Sequence, residues 1–369
     1  MKWRNKLKKN ICTVDELKKH IKISKKEEAA VRKVVDIHPM SISRYYLSLI
    51  DEKDKDDPIR KLVVPSVEEL DTEGVYDTSG ERQSTKSVGL QHKYAETALL
   101  LSTNRCASYC RFCFRKRLVG LSDEEILKRF DEAVNYIEEH KEINNVLVSG
   151  GDPLTLPTKI IEKFLKKLSR IDHLDFIRFG SRVPVVFPDR VFDDQELLGL
   201  FKKYSVKNRR IYVVTHFNHP KELTSESVKA IDKLIHSNVI VNNQTVLLKG
   251  VNDKSEVLIE LMNKLVSVGA NPYYLFQCRP VKRAKNHFQV PFYYGCRIID
   301  DARKKLNGPA KRFKYAMSHK AGKIEILGIR KKQIYFKQHE ARKYETIGTI
   351  FKRNLDRKSG WLDSSLELC

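Results

Sequence analysis

Cysteine is scarce in this chain, seven residues in 369, and the number is odd. An extracellular disulfide framework has little to build on, and intracellular metal or redox chemistry is favoured instead. No apolar run approaches the roughly 20 residues that would span a bilayer, and the opening MKWRNKLKKN lacks the apolar centre of a secretory signal. The expected setting is cytoplasmic, with no membrane partner. Internal repeats and low-complexity segments are missing as well. Acidic residues are outnumbered, 47 against 70 basic, leaving a formal charge of +23. Such a field attracts nucleic acids and acidic partners. The basic residues are nevertheless spread along the chain, largely as Lys beside Glu or Asp in stretches such as SDEEILKRFDEAVNYIEEHKE. A solvated basic surface is the expectation, and a nucleic-acid partner is not.

What is present is a hydrophobic content of 41%, enough for a globular core in one large α/β domain or two ordinary ones. Residues 1–90 read as an N-terminal helical accessory segment. From residue 91 to 310, short apolar runs alternate with amphipathic stretches: ALLLST, NVLVSGG, FIRFGSR, IYVVTHF, VIVNNQTVLL and YYLFQC. Strand and helix alternating about six times predict a parallel sheet. The chemically loaded residues follow the ends of the strands, as they do in α/β barrels, so the fold class expected is a partial (β/α)6 TIM-like barrel. Beyond residue 310 the alternation ends, and residues 311–369 read as a small extended C-terminal module with turns at Ala321-Gly322 and near Lys331.

Three of the seven cysteines, Cys106, Cys110 and Cys113, fall within eight residues in TNRCASYCRFCFRKR. The spacing CxxxCxxC suits three ligands of a four-iron, four-sulfur cluster held by one tight loop, leaving the fourth iron open to a small molecule. The alternative is a structural zinc, which wants a fourth protein ligand such as His92 or Cys12, and neither has a finger-like spacing. In SGGDPL, Gly150 and Gly151 let backbone approach a ligand and Asp152 can accept from an ammonium; the same letters also describe an ordinary turn. His216 and His219 lie three apart in THFNHP, and no second metal is assigned to them.

Taken in order, CASYCRFCFRKR, VLVSGGDPL, IRFGSRVPVV, THFNHPKE, NQTVLLKGVND and PYYLFQC resemble the lysine 2,3-aminomutase family of radical S-adenosylmethionine enzymes. The likeness starts near YYLSLIDEKDKDDPIRKLVVPSVEEL and runs to about residue 330. It implies a partial β/α barrel, a 4Fe-4S cluster, S-adenosylmethionine and pyridoxal phosphate, together moving an α-amino group to the β-carbon. The resemblance makes Cys106, Cys110 and Cys113 the cluster ligands and puts Gly150, Gly151, Asp152, His216 and Gln244 near S-adenosylmethionine. It sets Arg115 against the substrate carboxylate and makes Lys323, in SHKAGKIE, the pyridoxal lysine. The partners it implies are a small amino acid substrate and a reducing electron donor of flavodoxin or ferredoxin type; a homo-oligomer is compatible with it.

The departures bear on the substrate. Where the family carries two phosphate-binding arginines, this chain has Lys93 and Thr97. Where lysine aminomutases hold the distal ammonium with two aspartates, it has Arg279 and Ala316. A cation does not hold an ammonium, so Arg279 favours an anionic side chain such as that of glutamate or aspartate. The alternative is a member of the same family that has lost pyridoxal phosphate and acts on another anionic substrate or on a protein residue.

Overall fold

The computed structural model describes residues 2–369. Twelve strands lie in one sheet in chain order. Two short strands, β1 (Thr85–Ser87) and β2 (Leu90–Tyr94), run antiparallel into β3 (Thr97–Thr103). β3, β4 (Asn145–Gly150), β5 (Phe176–Gly180), β6 (Arg210–Thr215), β7 (Val239–Leu247) and β8 (Asn271–Gln277) are the six expected strands, all parallel. A seventh, β9 (Lys314–His319), is also parallel to β8, although the alternation of strand and helix has already lapsed in the sequence. β10 (Gly322–Arg330), β11 (Gln333–Ala341) and β12 (Ile350–Asn354) complete the sheet as antiparallel strands with turns where they are expected. The ladder crosses residues 90/91 and 310/311 without a break.

The sheet curls into a partial barrel. The Lys323 ammonium on β10 lies over the Tyr94 ring on β2, and Arg342 after β11 donates to Ser84 Oγ before β1. The two ends therefore face one another without a shared ladder. Helices cover the outside because their apolar residues recur at three and four: Ala230, Ile231 and Leu234 in Ser225–His236, and Leu258, Leu261, Met262 and Leu265 in Ser255–Ser267. β7 shows the resulting two faces, with Val239, Val241 and Leu247 buried and Ile240, Asn242, Gln244 and Val246 only partly so. The second set lines the barrel interior.

The N-terminal segment is built into this barrel. The helix Lys25–Ile37 starts with a capping box between Ser24 and Glu27, and residues 39–84 wrap the loop after β3. Glu69, fully buried in a short 3-10 turn, accepts from Arg111 Nε and Nη2 at 2.8 Å each and from Lys116 Nζ at 2.5 Å. Although burial opposes ionisation, the two cations hold its carboxyl down at about 2.

Removing the charge of Glu69 strands two buried cations. Glu69→Gln is expected to cost about 3–5 kcal/mol in urea unfolding near neutral pH. Because the folded pKa is depressed, this stabilisation is present above the ordinary glutamate value and disappears as pH falls toward about 2. The gap between wild type and variant should close over that acid range.

Candidate functional site

The loop after β3 has no regular structure and is held from outside by the N-terminal segment. Tyr109 N–H donates to Ser41 O at 2.8 Å, Arg111 N–H to Leu62 O at 2.9 Å, and Asn10 Nδ2 to Ala107 O at 2.7 Å. Cys106, Cys110 and Cys113 are free thiols, partly buried at the C-terminal ends of the parallel strands. Burial pushes Cys113 up to about 11 and raises Cys106 well above the ordinary thiol value, with Asp152 adding to the shift of Cys106 and the neighbouring thiols to both. Among the described residues no three His, Cys, Asp or Glu side chains group as ligands of a single metal ion. The zinc alternative also lacks its fourth ligand: His92 is bonded to Tyr136 OH and Ala95 O, and Cys12 is exposed.

The glycine pair has a steric reason. A Cβ on Gly151 would lie 2.4 Å from Arg105 O, and one on Gly150, where φ is +110°, 2.5 Å from Thr103 O. The glycines thus let β4 dock against the thiol loop, with the Gly151 and Asp152 amides donating to Thr103 O and Arg105 O. Asp152 is likewise engaged within the chain. Its carboxylate accepts from Ser181 Oγ (2.7 Å), Arg182 N (2.7 Å) and Leu154 N (3.1 Å), and burial raises its pKa to about 6. These three residues, expected beside a ligand, shape the loop in this structure. His216 is partly buried, and desolvation, helped by Arg182 and Arg115, lowers it to about 4, so the ring is neutral. Gln244 occupies the interior face of β7. His219 caps the next turn, its Nδ1 accepting from Lys221 N.

Around the mouth the cations gather. Arg115, expected against a substrate carboxylate, already meets a carboxylate of its own chain: Nε donates to Glu81 Oε1 at 3.2 Å, and Nη1 to Ser149 Oγ at 3.2 Å. Arg117 Nη2 takes the other Glu81 oxygen at 2.7 Å. Arg279 turns inward, its guanidinium 4.1 Å from the Phe114 ring centroid and donating to Ser79 Oγ at 2.9 Å. Burial lowers its pKa while Glu81 opposes the shift. Lys93 donates to the carbonyls of Ser79 and His319, and burial, with Arg279 and Arg342, lowers it to about 7.

Lys323 lies on a regular strand directly after its glycine turn. Gly322, at φ +145°, is needed because a Cβ there would fall 2.0 Å from Glu340 O. Lys323 Nζ donates to Glu340 Oε1 at 2.8 Å and to Tyr274 OH at 3.4 Å, and Tyr274 OH in turn meets His339 Nε2 at 2.8 Å. Burial lowers the Lys323 pKa, Glu340 opposes this, and Arg178 and Arg279 add to it. Arg178, on β5, bonds only the neutral Asn145 and Thr97 side chains, and its buried Nε has no partner. Glu81, Glu340, Arg178, Tyr274 and His339 carried no local signal in the sequence.

A partial β/α barrel with a three-thiol loop at the C-terminal ends of its strands is the architecture of a radical enzyme class, and the comparisons agree. The Radical SAM superfamily model matches residues 100–262. A protein of Aquifex aeolicus provisionally named an L-lysine 2,3-aminomutase is 41% identical over 363 residues, covering 98% of this chain and 96% of its own. The L-lysine 2,3-aminomutase of Clostridium subterminale is 40% identical over 309 residues (83% and 73%). The glutamate 2,3-aminomutase of Clostridioides difficile is 39% identical over 311 residues (84% and 72%). The chain belongs to the lysine 2,3-aminomutase family of radical S-adenosylmethionine enzymes. It is an isomerase whose class uses a 4Fe-4S cluster and S-adenosylmethionine. No helix of the described residues is long and apolar enough to cross a membrane.

Gly151→Ala tests the docking of β4 on the thiol loop. Contact with backbone cannot be relieved by a rotamer, so the variant should lose most of its iron after anaerobic reconstitution, read by metal content and by the cluster's visible absorbance.

Proposed function

We propose that this enzyme is a pyridoxal phosphate-dependent 2,3-aminomutase of an amino acid with an anionic side chain. One observation carries the choice of substrate: Arg279 faces inward at the barrel mouth, partly buried, with no carboxylate within ion-pair distance among the described residues. A relative named for glutamate stands beside those named for lysine.

In this reading Cys106, Cys110 and Cys113 hold the cluster, and His216 and Gln244 flank S-adenosylmethionine at the mouth. The reduced cluster and S-adenosylmethionine supply a carbon radical able to take a β-hydrogen, and pyridoxal phosphate supplies the delocalising carrier for the migrating nitrogen. The residues present fit that last group. Lys323 offers a partly buried amine 4.6 Å from the Tyr274 ring centroid, and Arg178 offers a guanidinium nitrogen without a partner among the described residues to an anion in the same part of the barrel. A lowered lysine pKa yields more of the neutral amine that can attack a carbonyl. Glu340 holds the ammonium form until then. Arg115 and Arg279 orient an anionic amino acid at its two ends.

Lys323→Ala should keep the cluster and lose pyridoxal, seen as loss of the near-visible band and of the borohydride-fixed label. Label on Lys320 would place the lysine one turn away, and no label in the wild type would favour a family member without pyridoxal phosphate.

Arg279 is tested by turnover of lysine, glutamate and aspartate. A charge-assisted contact is worth about 1.5–3 kcal/mol, on the order of a 10- to 150-fold preference for the acidic substrates over lysine. Arg279→Asp should erase it. Substantial lysine turnover by the wild type would overturn the anionic-substrate reading.

A further inference from the structure

Arg182, at the end of β5, makes an unusual set of contacts. Its Nη1 donates to Cys110 Sγ at 2.9 Å. Its Nη2 donates to Tyr46 OH at 2.8 Å and to Glu222, its Nε donates to His216 O at 3.2 Å, and its backbone N–H donates to Asp152. The guanidinium also lies 5.2 Å from the Tyr46 ring centroid and 5.6 Å from that of Phe112. Glu222 is fully buried; it accepts from Tyr46 OH and from the amides of Asn218 and His219. Each of the three guanidinium nitrogens has a partner, and one of those partners is a thiol sulfur.

A buried guanidinium aimed at sulfur is not explained by packing. Desolvating it costs several kcal/mol, which the Glu222 carboxylate alone could offset. Lysine or an apolar residue would also fill the space. What a guanidinium adds is a fixed positive charge with an N–H directed at one thiolate. Iron-sulfur potentials respond to both, because hydrogen bonds to the sulfurs and local positive charge favour the more negative, reduced cluster.

We infer that Arg182 is a positioning residue that raises the reduction potential of the cluster through Cys110. The inference rests on the assignment of Cys110 as a ligand. One electron from an external protein donor converts the cluster from its 2+ to its 1+ state, the donor being oxidised by one electron. Arg182 stabilises the product of that step. Through its backbone N–H to Asp152 and its side-chain Nε to the His216 carbonyl, the same residue ties the thiol loop to the two strand ends that border the mouth.

The test uses the reconstituted full-length enzyme and an EPR-monitored redox titration of Arg182→Gln and Arg182→Lys. In Arg182→Gln the ratio of reduced to oxidised cluster at a fixed ambient potential is expected to fall about tenfold, equivalent to about 59 mV for a one-electron couple. Arg182→Lys keeps the charge and should shift less, in the same direction. In wild-type protein labelled with guanidino-15N arginine, pulsed EPR of the reduced cluster should show a nitrogen coupling that Arg182→Lys lacks. That last comparison does not depend on the glutamine variant folding. Wild-type potentials in both variants at full iron content, or an unchanged 15N coupling in Arg182→Lys, would overturn the inference while leaving the cluster assignment standing. Failure of the wild type to assemble any cluster through Cys110, shown by full iron in Cys110→Ala, would overturn the assignment itself.

Discussion

The structure depends on how four cations beside the thiols are neutralised. Arg111, Arg115, Lys116 and Arg117 lie within seven residues, and none has a side chain more than 8% exposed. Buried ions left alone cost several kcal/mol each, so the loop can close only where carboxylates are brought to it. Those carboxylates are Glu69, for Arg111 and Lys116, and Glu81, for Arg115 and Arg117, with Glu125 as a third, more exposed partner of Arg117. Glu69 and Glu81 come from the segment before the barrel. That segment is therefore a condition for the thiol geometry, and the bonds to the loop backbone from the Asn10 side chain and the Ser41 and Leu62 carbonyls act in the same sense.

The two carboxylates are not equally loaded. Glu69 faces two cations, and its depressed pKa reflects their charges and three close ionic hydrogen bonds, against the opposing effect of burial. Glu81 bonds Arg115 and Arg117 and also lies in the field of Arg279. The positive excess thus falls at the barrel mouth and not behind the loop. The cations beside the cysteines thus have two roles: Arg111 and Lys116 lock the loop to the N-terminal segment, while Arg115 borders the cavity.

The fold was largely legible because its signals are local. Six short apolar runs separated by helical periodicity suffice to place β3 to β8, whereas KYAMSH was missed as a seventh parallel strand: the helix Phe292–Lys305 leads to it, but a 3-10 turn, Pro309–Lys311, intervenes and its apolar run is short and flanked by lysines. The thiol spacing was legible for the same reason. The carboxylates were not. In a chain crowded with Lys and Glu, a single Glu69, Glu81, Glu222 or Glu340 reads as solvated surface, and its partner lies far away in sequence: 42 residues for Glu69 and Arg111, 176 for Glu222 and Tyr46. The SGGDPL turn shows a third case. Its glycines were recognisable as sites of close approach, but what approaches them is the Arg105 and Thr103 backbone, which only the folded chain brings there.

Charge in the barrel interior then bears on what the cavity can hold. Lys93, Arg178 and Arg279 are bonded to carbonyls, amides or hydroxyls, and none has a carboxylate within ion-pair distance among the described residues. Neutral partners satisfy donors without cancelling charge, so each cation retains a large part of its desolvation cost. An anionic ligand recovers that cost on binding and, by linkage, stabilises the folded state in proportion to its occupancy. The interior is thereby tuned to anions at two levels: near Lys323, where Arg178 stands, and at the mouth, where Arg115 and Arg279 stand. Under the proposed function, an amino acid with two carboxylates and a phosphate-bearing cofactor would meet this arrangement from opposite ends of the cavity. An ammonium-ended side chain would add a fourth uncompensated cation to it, and the same low-dielectric interior that strengthens the first two contacts would magnify that repulsion.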